Sequence, residues 1–142
     1  MPSSEDEIQA RLTSQSEAIR AKDIDRLMSF YTPDVVYYDV VPPLRYAGTA
    51  ALRDRFLHWF SNYKGGIDLE TRDLHVVVSS DLAFAFWFSR AAGTMPDGRP
   101  AGSWVRATNC WRRIDGTWLV VHEHISWPVD GMSGMGVRDL VP

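Results

Sequence analysis

Cysteine is almost missing from this sequence: Cys110 is the only one in 142 residues. No internal disulfide can form, and no cysteine cluster for zinc or iron–sulfur exists. That usage suits a reducing cytoplasm, the expected compartment. A surplus of positive charge is also missing, since 15 Lys and Arg stand against 18 Asp and Glu for a net charge of -3. Binding to a phosphate backbone rests on such a surplus, so nucleic acid is not an expected partner. No run approaches the roughly 18 apolar residues of a membrane span. The opening MPSSEDEIQ is polar and acidic where a secretion signal carries basic residues and then an apolar stretch, so no membrane partner is expected. Walker, Rossmann and nucleophile-elbow motifs are absent, and the glycines of GMSGMG follow no strand-to-helix turn. No nucleotide cofactor is indicated, and the expectation is that the protein uses no cofactor.

What is present fits one globular domain. Hydrophobic residues make up 45% and charged residues 23%, with 10 Gly and 8 Pro, proportions that match neither a disordered tail nor a fibrous repeat. A chain of this length buries roughly 68–70% of its unfolded surface, enough for a core without metal or disulfide staples. No internal repeat or linker divides it. Residues 1–127 read as a single domain and residues 128–142 as a Gly-, Met- and Pro-containing tail without period, either docked over a pocket or idle.

Ser4 followed by Glu7 has the spacing of a capping box, and Ile8, Leu12 and Ile19 continue at helical spacing to about Lys22. Asp23 caps a shorter second helix with Ile24, Leu27, Met28 and Tyr31, which Thr32-Pro33 should end. The run VVYYDVV from Val35 predicts a strand stopped by Pro42-Pro43. A third helix starts at Thr49, its apolar face made by Leu52, Phe56, Trp59, Phe60 and Tyr63. The period then changes. Residues 67–79, 82–94, 100–114 and 117–127 read as strands of an antiparallel meander, with turns at Ser79-Ser80-Asp81, Pro96-Asp97-Gly98 and Asp115-Gly116. Helices followed by strands argue for an α+β fold, with helices packed on one face of a strongly curved sheet.

This order, with Asp23 at the helical break, VVYYDV before prolines, GTAALR opening the third helix, LAFAF, and the closing HEHISWP, resembles the SnoaL-like and ketosteroid-isomerase-like proteins of the nuclear-transport-factor-two-like superfamily. The resemblance covers most of the chain. It implies a cystatin-like α+β barrel: a cone-shaped curved sheet and three helices around a mostly apolar interior pocket. It also implies a homodimer through the outer sheet face.

Alternation in the first strand groups Val35, Tyr37, Asp39 and Val41 on one face. Asp39 is then a carboxylate among aromatic and β-branched neighbours, where desolvation would strengthen it as a base. By the resemblance it falls where ketosteroid isomerases carry their proton-shuttling aspartate. The other reading is a strand-end carboxylate that accepts backbone amides before the Pro42-Pro43 turn. Where those isomerases place an oxyanion-stabilising tyrosine and a protonated aspartate, this chain has Gln15 and Asn109. Both amides can donate a hydrogen bond, and both are also ordinary polar residues at the edge of a packed face or inside a core.

With Asn109 and Trp111 turned inward by the family pattern, a regular last strand brings His122 and His124 inward too, facing Asp39. They read as acid, base or oxyanion donors, or as structural histidines. Two imidazoles at this spacing also invite a metal, but no third ligand accompanies them and no metal is expected. Phe84, Phe86 and Phe88 alternate along their strand and, with Tyr37, Phe56 and Trp111, would wall a pocket for a flat apolar or aromatic ligand, or pack as core. Trp87, Ile125 and Trp127 would then face outward onto a covered surface, most simply a dimer.

The leading functional reading is a small cofactor-independent enzyme that transfers a proton on an apolar carbonyl-type substrate, an isomerase, cyclase or dehydratase. In it Asp39 acts as base while Asn109 and His122 polarise the substrate oxygen. The alternative is a non-catalytic module on the same fold that binds a small molecule or a partner protein. A pocket filled by its own Trp and Phe side chains is a third.

Overall fold

The computed structural model describes residues 1–142. Its elements run α1 (Ser4–Arg20), α2 (Ile24–Met28), β1 (Tyr31–Tyr38), β2 (Tyr46–Ala47), α3 (Thr49–Ser61), β3 (Lys64–Ser79), β4 (Leu82–Thr94), β5 (Pro100–Ile114) and β6 (Thr117–Ser126). The fold is α+β. One curved sheet has the order β2-β1-β6-β5-β4-β3, antiparallel throughout except where β1 runs parallel to β6. The short β2 was not anticipated from the sequence.

The caps of α1 and α3 each lie one residue before the sequence reading, and that of α2 agrees with it. Ser3, not Ser4, caps α1: its hydroxyl accepts from Asp6 N at 3.1 Å, and Asp6 Oδ2 accepts from Ser3 N at 3.2 Å. Glu7 is thereby free to accept from Trp118 Nε1 at 2.9 Å, tying α1 to β6. Asp23 caps α2 by accepting from Arg26 N. At α3 the cap is Gly48, not Thr49, without a side-chain bond. Its φ of 86° is a left-handed conformation that glycine adopts without strain, and its N–H reaches Val35 O at 2.7 Å. Tyr31 belongs to β1 rather than to the second helix. Pro33 also lies in β1, where pairing with β6 is interrupted between Tyr31 and Val36, so its missing amide breaks no ladder bond there.

Two facings decide what the fold presents to its interior. In β5 and β6, Cys110 pairs with His122 but Trp111 pairs with Val120, which leaves Val121 as an extra residue. Such a bulge reverses the alternation beyond it. Trp118 and Val120 point inward before the bulge and Glu123 after it, all three buried. His122 and His124 go to the outer face. In β4 the inward positions are Ala83 and Ala85, opposite Trp111 and Asn109. Direct cross-strand partners share a face, so the small alanines make room for a fully buried indole. The intervening Phe84 and Phe86 remain about 40% exposed outside.

The core gathers Ile8, Leu12, Leu27, Phe30, Val35, Leu52, Trp111 and Trp118 between the helices and the inner sheet face. It fills one end of the concave sheet. The other end stays open.

Candidate functional site

That open end is a cavity of about 820 Å³ between α1, α3 and the inner faces of β1 and β3 to β6. Trp59, Trp87, Ile125 and Trp127 give it apolar walls, while Gln9, Thr13, Ser16 and Arg20 line it from one stripe of α1. Trp87, Ile125 and Trp127 therefore face inward, opposite to the sequence reading. The sequence reading rests on a regular β6 and an inward Phe84–Phe88 stripe, and neither exists. Phe84, Phe86 and Phe88 lie outside the cavity. Phe86 instead stacks on His75 at 4.9 Å and neighbours Phe84 at 6.2 Å on the outer surface.

Glu123 is the titratable group at the centre of the site. It is 6% exposed and lines the cavity. Asn109 Nδ2 donates to its Oε1 at 3.2 Å, and the Tyr31 hydroxyl lies 3.3 Å from both carboxylate oxygens. Each donor is oriented by another group. Trp111 Nε1 donates to Asn109 Oδ1 at 2.7 Å, turning the amide so that its NH₂ faces Glu123, and Gln15 Nε2 donates to the Tyr31 oxygen at 2.8 Å. A chain of donors thus converges on one carboxylate that has no salt-bridge partner. Burial pushes the Glu123 carboxyl from 4.5 up to about 7; the Asn109, Tyr31 and Gln15 donors act against that rise, and the charge of Asp39 adds to it. Burial first, and the nearby Glu123 charge second, hold the Tyr31 and Tyr37 phenols well above their ordinary range, so both remain protonated donors.

Asp39 lies just past the end of β1, on the inward face shared with Val35 and Tyr37, and it lines the cavity. It is not an isolated charge. Arg55 Nε donates to its Oδ2 at 2.8 Å, with the two side chains 10% and 9% exposed, and Val40 N donates to its Oδ1 at 2.6 Å. The strand-end role and a cavity-facing position therefore coexist. The isolated, desolvated base of the sequence reading gives way to an ion pair.

The remaining candidates separate. Gln15, Tyr37 and Phe56 line the cavity. Asn109 and Trp111 are fully buried behind Glu123, so the Asn109 amide is spent on Glu123 and Trp111 rather than offered to a ligand. His122 and His124 flank the Tyr38 ring at 4.7 and 5.3 Å on the outer face, and His122 Nδ1 lies 2.6 Å from Val36 O. Neither faces Asp39, because the Val121 bulge turns them out. No group of three or more His, Cys, Asp or Glu is arranged to hold a metal, and no helix is long and apolar enough to cross a membrane.

Sequence reasoning missed Glu123, Tyr31 and Arg55. The bulge hides Glu123, and Tyr31 continues the helical spacing of Ile24, Leu27 and Met28 although it opens β1. Arg55 carried a readable signal: with Leu52, Phe56 and Trp59 it completes a 3.6-residue stripe, and a cation on a buried stripe calls for a carboxylate.

Comparison with known proteins agrees with this architecture. No curated protein matches the chain significantly. An NTF2-like protein of unknown function from Pseudomonas putida KT2440 superposes with a TM-score of 0.88 at 30% identity, over 97% of this chain and 96% of that one. A ketosteroid isomerase-like protein from Erwinia carotovora atroseptica gives 0.75 at 20% identity, over 89% and 97%. The association domain of C. elegans CaMKII gives 0.67 at 16% identity, over 84% and 92%. The SnoaL-like domain matches residues 8–130, and the chain belongs to the SnoaL-like family within the NTF2-like superfamily.

Proposed function

We propose that the protein is a small cofactor-independent enzyme that moves a proton on an apolar, carbonyl-type substrate, as an isomerase, cyclase or dehydratase, with Glu123 as the acid–base group. One observation carries this reading: a buried carboxyl group in the wall of an apolar cavity, hydrogen-bonded but without a counter-cation, an environment that pushes its pKa up to about 7. A general base works best when its pKa lies near the operating pH, because it is then both available and strong. As carboxylate, Glu123 takes a proton from the carbon next to the substrate carbonyl. As acid, it returns that proton to another carbon or to a departing oxygen. Asn109 and Tyr31 hold the carboxylate in place for both steps.

The test is ultraviolet absorbance with a panel of β,γ-unsaturated ketones, in which proton transfer creates a conjugated enone. Wild type is expected to turn over at least one of them, and Glu123→Gln to lose about 10²-fold or more in kcat. No turnover by wild type on any ketone, nor on β-hydroxy ketones that would dehydrate, overturns the reading. In that case a non-catalytic module holding an apolar or aromatic ligand becomes the better account. A specific observation favours that second reading: the Trp59, Trp87, Ile125 and Trp127 walls suit a flat apolar ligand whether or not it reacts.

A homodimer belongs to the same proposal. Val77, Phe84 and Phe86 are 42–46% exposed on neighbouring strands of the outer sheet face, a contiguous apolar surface of the kind that a second copy covers.

A further inference from the structure

Tyr37 and Arg55 each bring donors to the cavity that nothing in the chain accepts. The Arg55 guanidinium is engaged through Nε alone. Its two amino nitrogens make no hydrogen bond within the chain, and neither is sealed away from solvent. The Tyr37 hydroxyl likewise has no partner, although the residue is only 5% exposed, its ring edge-on to Phe56 at 5.5 Å. Both residues line the cavity that Glu123 lines. Asp39, to which Arg55 donates at 2.8 Å, is two positions from Tyr37 on the same inward face, which brings the two sets of donors to one side of the cavity. By contrast, Tyr31 and Asn109 already donate to Glu123, and Gln15 to Tyr31.

We infer that Arg55, through its amino nitrogens, and Tyr37, through its hydroxyl, form an oxyanion site for the enolate of the substrate, with Asp39 as the residue that positions Arg55. This rests on the proton-transfer reading and extends it to where the negative charge goes. Glu123 carboxylate removes the proton on the α-carbon; the C–H electron pair becomes the C=C bond of the enolate, and the carbonyl π pair moves onto oxygen. Charge leaves a buried carboxylate with no cation and arrives beside a guanidinium and a protonated phenol. In a β,γ-unsaturated substrate Glu123 returns the proton to the γ-carbon: the oxygen pair re-forms the carbonyl, the enolate C=C pair moves to the α,β position and the β,γ π pair makes the new C–H bond, so no oxidant or co-reactant is needed. Asp39 holds Nε, which fixes the plane of the guanidinium and aims the remaining fork of N–H groups. Donors fixed in place beforehand act most strongly where charge develops in a site with little water.

The substrate class is accordingly a neutral ketone or aldehyde with an acidic α-carbon on an apolar body. A substrate carboxylate at this point would carry its charge while the Glu123 base is also ionised, setting one Arg55 cation against three anions, whereas the enolate forms only as Glu123 becomes neutral.

The probe is 4-nitrophenol, a stable enolate mimic whose phenolate is coloured, titrated with pH in wild type and variants. The bound phenol is expected to ionise about tenfold or more easily than the free one, with the gain lost in Arg55→Lys and reduced in Tyr37→Phe. Asp39→Asn, which still accepts from Nε, keeps most of it, and Asp39→Ala does not. Where Arg55→Lys fails to fold, the double variant Asp39→Asn with Arg55→Gln leaves no stranded ion and gives the same readout. Unchanged phenol ionisation in the Arg55 variants, or no phenol binding to wild type at millimolar concentration, overturns the oxyanion site. Because the probe needs no turnover, the two readings fail separately. Arg55-dependent ionisation without activity on any ketone upholds the anion site and rejects the proton shuttle; turnover lost in Glu123→Gln with ionisation indifferent to Arg55 does the reverse.

Discussion

Asn109 and Glu123 face each other across β5 and β6, and the amide donates to the carboxylate at 3.2 Å while Trp111 fixes which way that amide points. The sequence reading gave Asn109 to the substrate. Its place in the structure gives it to Glu123, so its effect on chemistry is indirect and visible in titration. Asn109→Leu removes a donor that favours the charged form. The Glu123 carboxyl is then expected to titrate above 7, and the rising limb of a kcat/KM profile to move to higher pH by the same amount. Asn109→Asp, which still accepts from Trp111, sets two carboxylates side by side and should raise it further. Infrared titration of the carboxyl band checks both without a substrate, and a profile unmoved by Asn109→Leu would remove Asn109 from the site.

The raised Glu123 value has a signed consequence for stability. Between the ordinary 4.5 and about 7 the folded chain holds a proton that the unfolded chain has released. Folding is therefore favoured by low pH at this group, and its contribution to stability falls as pH climbs through that window. At 1.36 kcal/mol per unit the full difference is about 3 kcal/mol. Glu123→Gln is expected to flatten the slope between pH 4.5 and 7 and to be more stable than wild type at pH 8, with the two similar near pH 4. Urea midpoints at several pH values measure this, and parallel curves for the two proteins would mean that the carboxyl is not held near 7.

On the outer face, Phe86 stacks on His75 and neighbours Phe84, and 42% of it is open to water. A charge there meets no core. Phe84→Glu and Phe86→Glu should each leave the folded monomer within about 0.5 kcal/mol of wild type, yet abolish a dimer built on this face. Light scattering at micromolar concentration is expected to give twice the chain mass for wild type and the chain mass for the variants. A monomeric wild type refutes the interface.

The boundaries of β4 and β5 were legible because Pro96-Asp97-Gly98 and Asp115-Gly116 are turn sequences that leave little choice of where strands stop. Even the direction of Phe84 was recoverable from them. A hairpin centred on Asp97 pairs Ala85 with Asn109, so an inward Asn109 forces Phe84 out. The stripe of phenylalanines was persuasive on size alone, but the inner face is filled by Trp111 and takes alanine opposite it. Glu123 was not legible. A β-bulge leaves no composition signature in VVHEHIS, and one extra residue turns the favoured histidines outward and an unremarked glutamate inward. Asp39 was found by its apolar surroundings, whereas Arg55, sixteen positions later on α3, is brought to it only by packing of the helix on β1.

Val121 itself is the sharpest handle on that last point. In the structure it is the residue without a partner, since Val120 pairs with Trp111 and His122 with Cys110. Removing it joins two segments that already have consecutive partners, so β6 becomes regular and Glu123 stays in the cavity. A strand that was regular to begin with would respond in the opposite way, because deleting one residue moves every later side chain to the other face. Deletion of Val121 is therefore expected to cost about 1–3 kcal/mol through lost local twist and bend. It should nonetheless keep the fall in stability between pH 4.5 and 7 that marks a buried Glu123. A folded deletion variant whose stability no longer depends on pH in that window would place Glu123 outside, and would take the acid–base site with it.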